Sequence, residues 1–236
     1  MNVYFLVEGR RTEKKIYPKW LSHLVPELTK IDFFDDVKEF NYKLFSGFGF
    51  PHLLHKHLRS SVEEVNESGN YDYFVICLDA DESSVVDRID EVNNFMGQEG
   101  IVLIDKTKFV IIVQNRTIES WLLGNPRIYK RNPTRSKILK QLITYYNVST
   151  HDPELMIEEE DFEGSIGDFH FLYLREYLLE RNISYTKEHP REVTEKYFLN
   201  KLIERNSDTS HLASFEFFLE FCKDLRKQIL ERKAIH

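Results

Sequence analysis

Two groups of carboxylates stand where metal-dependent chemistry needs them. Glu8 closes the apolar run Val3-Tyr4-Phe5-Leu6-Val7 and precedes Gly9-Arg10-Arg11-Thr12-Glu13, while Asp79-Ala80-Asp81 closes Tyr73-Phe74-Val75-Ile76-Cys77-Leu78. Runs of this kind read as buried strands, so both groups are expected at strand ends. Acids at the carboxyl ends of neighbouring parallel strands converge on one crevice, the usual ligand position of an open α/β sheet. Three acids gathered there repel one another unless they share a cation. Hard carboxylate oxygens select Mg²⁺ or Mn²⁺.

The elements that must position these acids are written in the hydrophobic pattern. β-like runs near 2–7, 40–45, 73–78 and 108–113 alternate with helical spacing. Thr12 to Leu24 repeats Ile16, Trp20, Leu21 and Leu24; Pro51 to Val65 offers a proline start and then Leu53, Leu54, Leu58 and Val62; a third helix is expected from near Glu82. This order predicts βαβ units and an α/β fold with a mostly parallel four-stranded sheet flanked by helices. From about Asp168 onward the pattern is helical only, which divides the chain into an α/β domain over 1–125 and a mainly helical C-terminal region over 126–236. Phe215, Phe217, Phe218 and Phe221 recur at helical spacing and read as core.

Several further residues carry two readings. Glu119 follows the fourth run, again at the carboxyl edge, and either supplies or orients a metal ligand or caps a turn with Thr117 or Asn115. The connection Phe45-Ser46-Gly47-Phe48-Gly49-Phe50-Pro51 is either a tight strand-to-helix turn or a backbone path beside a phosphate at the next helix. Cys77 and Cys222 have no ligand spacing, which argues against a zinc site and a disulfide framework and makes Cys77 a small buried hydrophobe.

The formal charge of −7 argues against whole-surface attraction to nucleic acid but is compatible with a local basic track. Arg127, Lys130, Arg131, Arg135, Lys137 and Lys140 lie in a stretch without acid, with Tyr129 among them as a stacking surface, and Glu154 to Glu163 forms an acidic cluster. Arg10 and Arg11 leave the first strand beside Glu8. Together these bases can neutralise a phosphate backbone, or they are solvated faces. No segment has signal-peptide form or membrane-spanning length, so the protein is expected in the cytoplasm and off the membrane.

The sequence Val7-Glu8-Gly9-Arg10-Arg11-Thr12-Glu13 and the acidic Leu78-Asp79-Ala80-Asp81-Glu82-Ser83, in this βα order, resemble the motifs of the Toprim domain of topoisomerases, bacterial primases and OLD-family nucleases. The resemblance covers about the first 125 residues, and it departs from many members in carrying Ser84 where they have glycine. The chain lacks room for a strand-gating body, and two isolated cysteines cannot form a primase zinc module. What the resemblance implies is a compact Mg²⁺- or Mn²⁺-dependent nuclease cutting RNA or DNA, similar to the Toprim effectors of bacterial anti-phage systems of the PARIS and abortive-infection types. Asp79 and Asp81 would then hold the metal ion, and Glu8 would act as ligand or general acid/base. Glu13 would reach a second ion, unless it only stabilises the dipole of its helix. Such effectors accompany an ABC- or OLD-type ATPase, which must be a separate protein because no P-loop motif is present here. The apolar tail is also able to bury a homodimer interface. Two other classes fit the same residues: a nucleotidyl or phosphoryl transferase, since Asp-x-Asp also holds metal-nucleotide complexes, and a non-catalytic Toprim-like regulatory module.

Overall fold

A strand without a polar residue needs cover on both faces, and Val3–Val7 is buried at all five positions. In the computed structural model, which describes residues 1–130, 132, 133 and 136–235, it is the middle strand of a sheet. The strands are β1 (Val3–Val7), β2 (Thr29–Ile31), β3 (Asn41–Ser46), β4 (Tyr73–Asp79) and β5 (Lys108–Gln114), in the order β2-β3-β1-β4-β5. The helices are α1 (Glu13–Leu24), α2 (Arg59–Ser68), α3 (Val85–Glu99), α4 (Ile118–Leu123), α5 (Lys137–Tyr145), α6 (Ile166–Glu180), α7 (Lys196–Thr209) and α8 (Ala213–Ile235). A π-helical segment, Leu53–Leu58, leads into α2.

The fold is α/β with a parallel sheet flanked by helices, but the sheet has five strands where the hydrophobic pattern predicts four. The additional strand, β2, pairs in parallel with β3 through Thr29↔Asn41, Lys30↔Tyr42 and Ile31↔Lys43. Three residues, two of them exposed, give no alternation to read. A short edge strand carrying lysine also protects an open sheet from pairing with another chain. β1 is parallel to β3 and to β4, in the registers Val7↔Ser46 and Val7↔Cys77. At its start β5 donates from Lys108 N–H to Asp72, just before β4, and at its end the Gln114 carbonyl accepts from Ala80, just after β4, so β5 runs the same way. The third helix begins at Val85 rather than near Glu82, because the chain first turns through Asp81 with φ of 51°.

The chain forms two compact units. The first comprises Met1–Leu78, Val85–Val113 and the chain from Phe217 on; the second comprises Asp79–Ser84 and Gln114–Glu216. In the first, one sheet face receives α1 and the distal part of α8. Phe221 lies 6.3 Å from the Phe5 ring and 5.6 Å from that of Tyr73, and Phe218 packs 5.5 Å from Tyr17 and 6.4 Å from Trp20. Each such ring removed from water contributes roughly 1.5–3 kcal/mol. The opposite face receives α2, where Glu64 accepts from the Tyr4 hydroxyl at 2.7 Å and pairs with Lys43 at 2.6 Å.

In the second unit α4 is buried at all six positions and packs against α6. Trp121 lies 5.3 Å from the Phe215 ring and donates its indole N–H to Ser214 Oγ at 2.7 Å. No described helix is long and apolar enough to cross a membrane.

Candidate functional site

Within the first unit, Glu8 is held from two sides. Its amide continues the strand ladder by donating to the Cys77 carbonyl at 2.8 Å, and its carboxylate Oε1 accepts from the Phe50 amide at 3.1 Å. The Phe45–Pro51 connection is strapped to the same strand end: Gly47 N–H donates to the Val7 carbonyl at 2.7 Å and Gly49 N–H to the Glu8 carbonyl at 2.9 Å. Glycine is needed at both places for different reasons. A Cβ on Gly47 would come within 2.6 Å of Leu53 Cβ, and Gly49 sits at φ of 95°. The amides of 47, 49 and 50 are thus committed to β1 and Glu8, and they favour the turn reading of this loop over the phosphate cradle.

Glu13, in the first turn of α1, is buried and folds its carboxylate over Gly9, where an added Cβ would overlap it. Burial pushes the Cys77 thiol up to about 12, with the Glu13 charge adding in the same direction, which leaves no thiolate for catalysis. Arg10 and Arg11 are exposed beside this turn.

Within the second unit, the Asp79–Asp81 segment is clasped by the chain that follows β5. Ala80 N–H donates to the Gln114 carbonyl and Asp81 N–H to the Arg116 carbonyl, both at 2.9 Å. Arg116 returns the bond, its Nη1 donating to the Asp81 carbonyl at 3.0 Å. Both residues lie in the left-handed region, at φ of 51° for Asp81 and 70° for Arg116. Such conformations cost of order 1–3 kcal/mol each and persist where the surroundings impose them, commonly at functional sites. Asp79 closes β4 with a buried Oδ1. Arg116 is the residue that motif reading misses: in Val113-Gln114-Asn115-Arg116-Thr117 nothing in composition or spacing marks it.

The segment Asn115–Ser120 is fixed by two buried polar networks. Ser214 Oγ accepts from Asn115 N–H at 3.0 Å and from Trp121, and donates to Glu154 Oε1 at 2.5 Å. Glu154 also accepts from the amides of Ser214 at 3.1 Å and Phe215 at 3.3 Å, satisfying the start of α8. Trp121 thus packs in this core. On the other side, His170 bonds Ser120 Oγ through Nδ1 at 2.8 Å and the Met156 carbonyl through Nε2 at 3.0 Å. A carbonyl only accepts, so Nε2 carries the proton and Nδ1 accepts from the serine hydroxyl. This Ser–His pair is wholly buried and works as packing polarity, not as a nucleophile and base.

The remaining sequence candidates have various surroundings. Glu119 is buried in α4, and its Oε1 accepts from the Tyr185 hydroxyl at 3.1 Å. Lys130 pairs at 2.8 Å with the buried carboxylate of Glu180, which also accepts from Ser136 N–H. Tyr129 donates its hydroxyl to the Leu123 carbonyl at 2.7 Å and packs against Tyr177, so it is not the stacking surface expected among the basic residues. Arg127 is exposed. Arg131 and Arg135 lie outside the described residues. Glu154, counted by sequence with the acidic cluster, is instead a core residue.

Among the described residues no three His, Cys, Asp or Glu side chains converge closely enough to enclose a metal ion. Mg²⁺ seldom asks for that: it is commonly held by one or two carboxylates, with waters and substrate phosphate completing the shell. Asp79 and Asp81, hard oxygen donors two residues apart at the end of β4, fit such a partial site. Comparisons of the chain with family profiles, curated proteins and solved structures find no match.

Proposed function

We propose that this protein is a metal-dependent nuclease hydrolysing phosphodiester bonds of RNA or DNA. The observation that carries the reading is the clasped Asp79–Asp81 segment, where an Asp-x-Asp pair follows a buried parallel strand and is held by the strained Arg116 turn. Asp79 and Asp81 hold Mg²⁺ or Mn²⁺, and the motif resemblance implies Glu8, whose carboxylate accepts from the Phe50 amide, as ligand or general acid/base. A bound ion polarises the phosphoryl oxygen and lowers the pKa of a coordinated water. Glu13, folded over the Gly9 turn, supports the chain that leaves β1, while Arg116 is a positioning residue that fixes the Asp81 backbone. Arg10, Arg11 and Arg127 supply exposed charge for the phosphate backbone.

The Toprim-like motifs further support a place in bacterial anti-phage defence, with a separate ABC- or OLD-type ATPase restraining the nuclease. The test is incubation of the purified protein with labelled tRNA, single-stranded DNA and plasmid in Mg²⁺, Mn²⁺ or EDTA, with and without the product of a neighbouring ATPase gene. Metal-dependent cleavage that Asp79→Ala and Asp81→Gly each abolish, without a marked loss of thermal stability, is the expected result. Nucleotide consumption without strand cleavage assigns a transferase instead. Full biological activity in Asp79→Ala assigns a regulatory module.

A further inference from the structure

The loop beside Glu8 presents a half-exposed aromatic ring. Phe48 is 51% exposed although its neighbours in the chain are all anchored. Gly47 and Gly49 are bonded to β1, and Phe50 donates to Glu8 while its ring lies 3.9 Å beneath the buried Arg88 guanidinium. Phe48 itself adopts φ of 61°, a left-handed conformation that a bulky side chain rarely takes. Its amide is held by Ser46 Oγ at 3.3 Å, and its ring leans on His57 at 5.4 Å and Phe45 at 6.5 Å. A Cβ on the adjoining Gly49 would meet nothing within 4 Å, so the tip of the loop faces open space.

Here a strained backbone leaves half of a large apolar ring in solvent. It gives a rigid π surface one residue away from the contacts that orient Glu8. We propose that Phe48 is a stacking platform for an unpaired nucleobase, so that the polymer meets this site as a single strand. The proposal rests on the nucleic-acid reading given above and narrows its substrate class. Stacking on one face is sequence-tolerant because every base offers a π surface, whereas a base inside a duplex has both faces occupied. The ring's other contacts, Phe45 and His57, fix its orientation in advance, which lowers the ordering cost of binding.

The test is fluorescence of Phe48→Trp, read against the two native tryptophans, Trp20 and Trp121, which are both fully buried. The new indole should be quenched on titration with oligothymidylate or oligouridylate in EDTA, and not by an abasic oligomer of equal length and charge. Phe48→Gly, whose backbone tolerates the positive φ, should fold normally and bind the unpaired oligomer roughly 5- to 150-fold more weakly. Phe48→Tyr should restore binding and Phe48→Leu should not. Equal quenching by the abasic oligomer, or wild-type affinity in both Phe48→Gly and Phe48→Leu, overturns the platform. Quenching without cleavage under any metal leaves the platform standing and removes the nuclease; cleavage without base-dependent quenching does the reverse.

Discussion

Two buried titratable groups in the second unit oppose each other in their effect on stability. Burial raises the Glu154 carboxyl from 4.5 to about 7, against the lowering effect of its bonds to Ser214 and Phe215. Between those values the unfolded chain is ionised while the native protein keeps its proton. The contribution to stability is therefore full below pH 4.5 and is lost as pH rises towards 7, at ~1.4 kcal/mol per pH unit and ~3 kcal/mol in all. Burial lowers His170 from 6.5 to about 4, with the Arg116 charge acting in the same sense against the Met156 hydrogen bond. Here the unfolded chain takes the proton first, so stability is full above pH 6.5 and falls on acidification towards 4, at the same ~1.4 kcal/mol per pH unit.

Over the shared window from pH 4.5 to 6.5 the two slopes cancel, and the pair leaves the native protein level. Glu154→Gln keeps an oxygen acceptor for Ser214 but cannot titrate. Its stability should climb by ~2.7 kcal/mol more than the wild type does across that window, as only His170 then responds. His170→Gln should show the opposite tilt. Urea unfolding followed by circular dichroism at pH 4.5, 5.5 and 6.5 reads both, with a constant m-value securing the comparison. A lost hydrogen bond offsets a whole curve by about 1 kcal/mol without changing its slope. If Glu154→Gln has the slope of the wild type, the carboxyl is already ionised in the native protein and the opposition of the two groups does not exist.

Other expectations follow from single contacts. Asp81→Gly should abolish cleavage while keeping or slightly raising stability, by up to about 1 kcal/mol, because glycine accepts the left-handed backbone; a marked drop in Tm would make Asp81 structural. Lys130→Met leaves the buried Glu180 carboxylate without its ammonium partner and should cost about 2–4 kcal/mol in denaturant unfolding. An unchanged midpoint together with weakened nucleic-acid binding would return Lys130 to the basic track. Gly9→Ala places a methyl where the Glu13 carboxylate lies, so about 1–3 kcal/mol of stability should be lost, and Gly9→Ala/Glu13→Ala should recover part of it.

The strand-end acids and the βα order were legible because period and burial are local: Val3–Val7 and Tyr73–Leu78 are apolar throughout, and Glu8 and Asp79 follow at once. Helix periodicity likewise marked Glu13–Leu24, whose buried Ile16, Trp20 and Leu21 are the residues that spacing selects. The edge strand β2 escaped because three residues with two exposed carry no periodic signal. Charge was the least legible property. A run of bases looks alike whether a lysine is solvated or, like Lys130, bound to a buried acid contributed by a residue fifty positions away.

An α/β chain with parallel strands, acids at two strand ends and a helical continuation each follow from residue types within a few positions of one another. Which of those charges face inward is set by the three-dimensional fold. It buried Glu154 beneath the start of α8, tied Glu119 to Tyr185, bent Arg116 back onto Asp81 and left Phe48 outside the core. Burial and hydrogen bonding depend on partners far along the chain. A side chain's type states what it can donate, accept or cover, but the fold alone determines what stands opposite it.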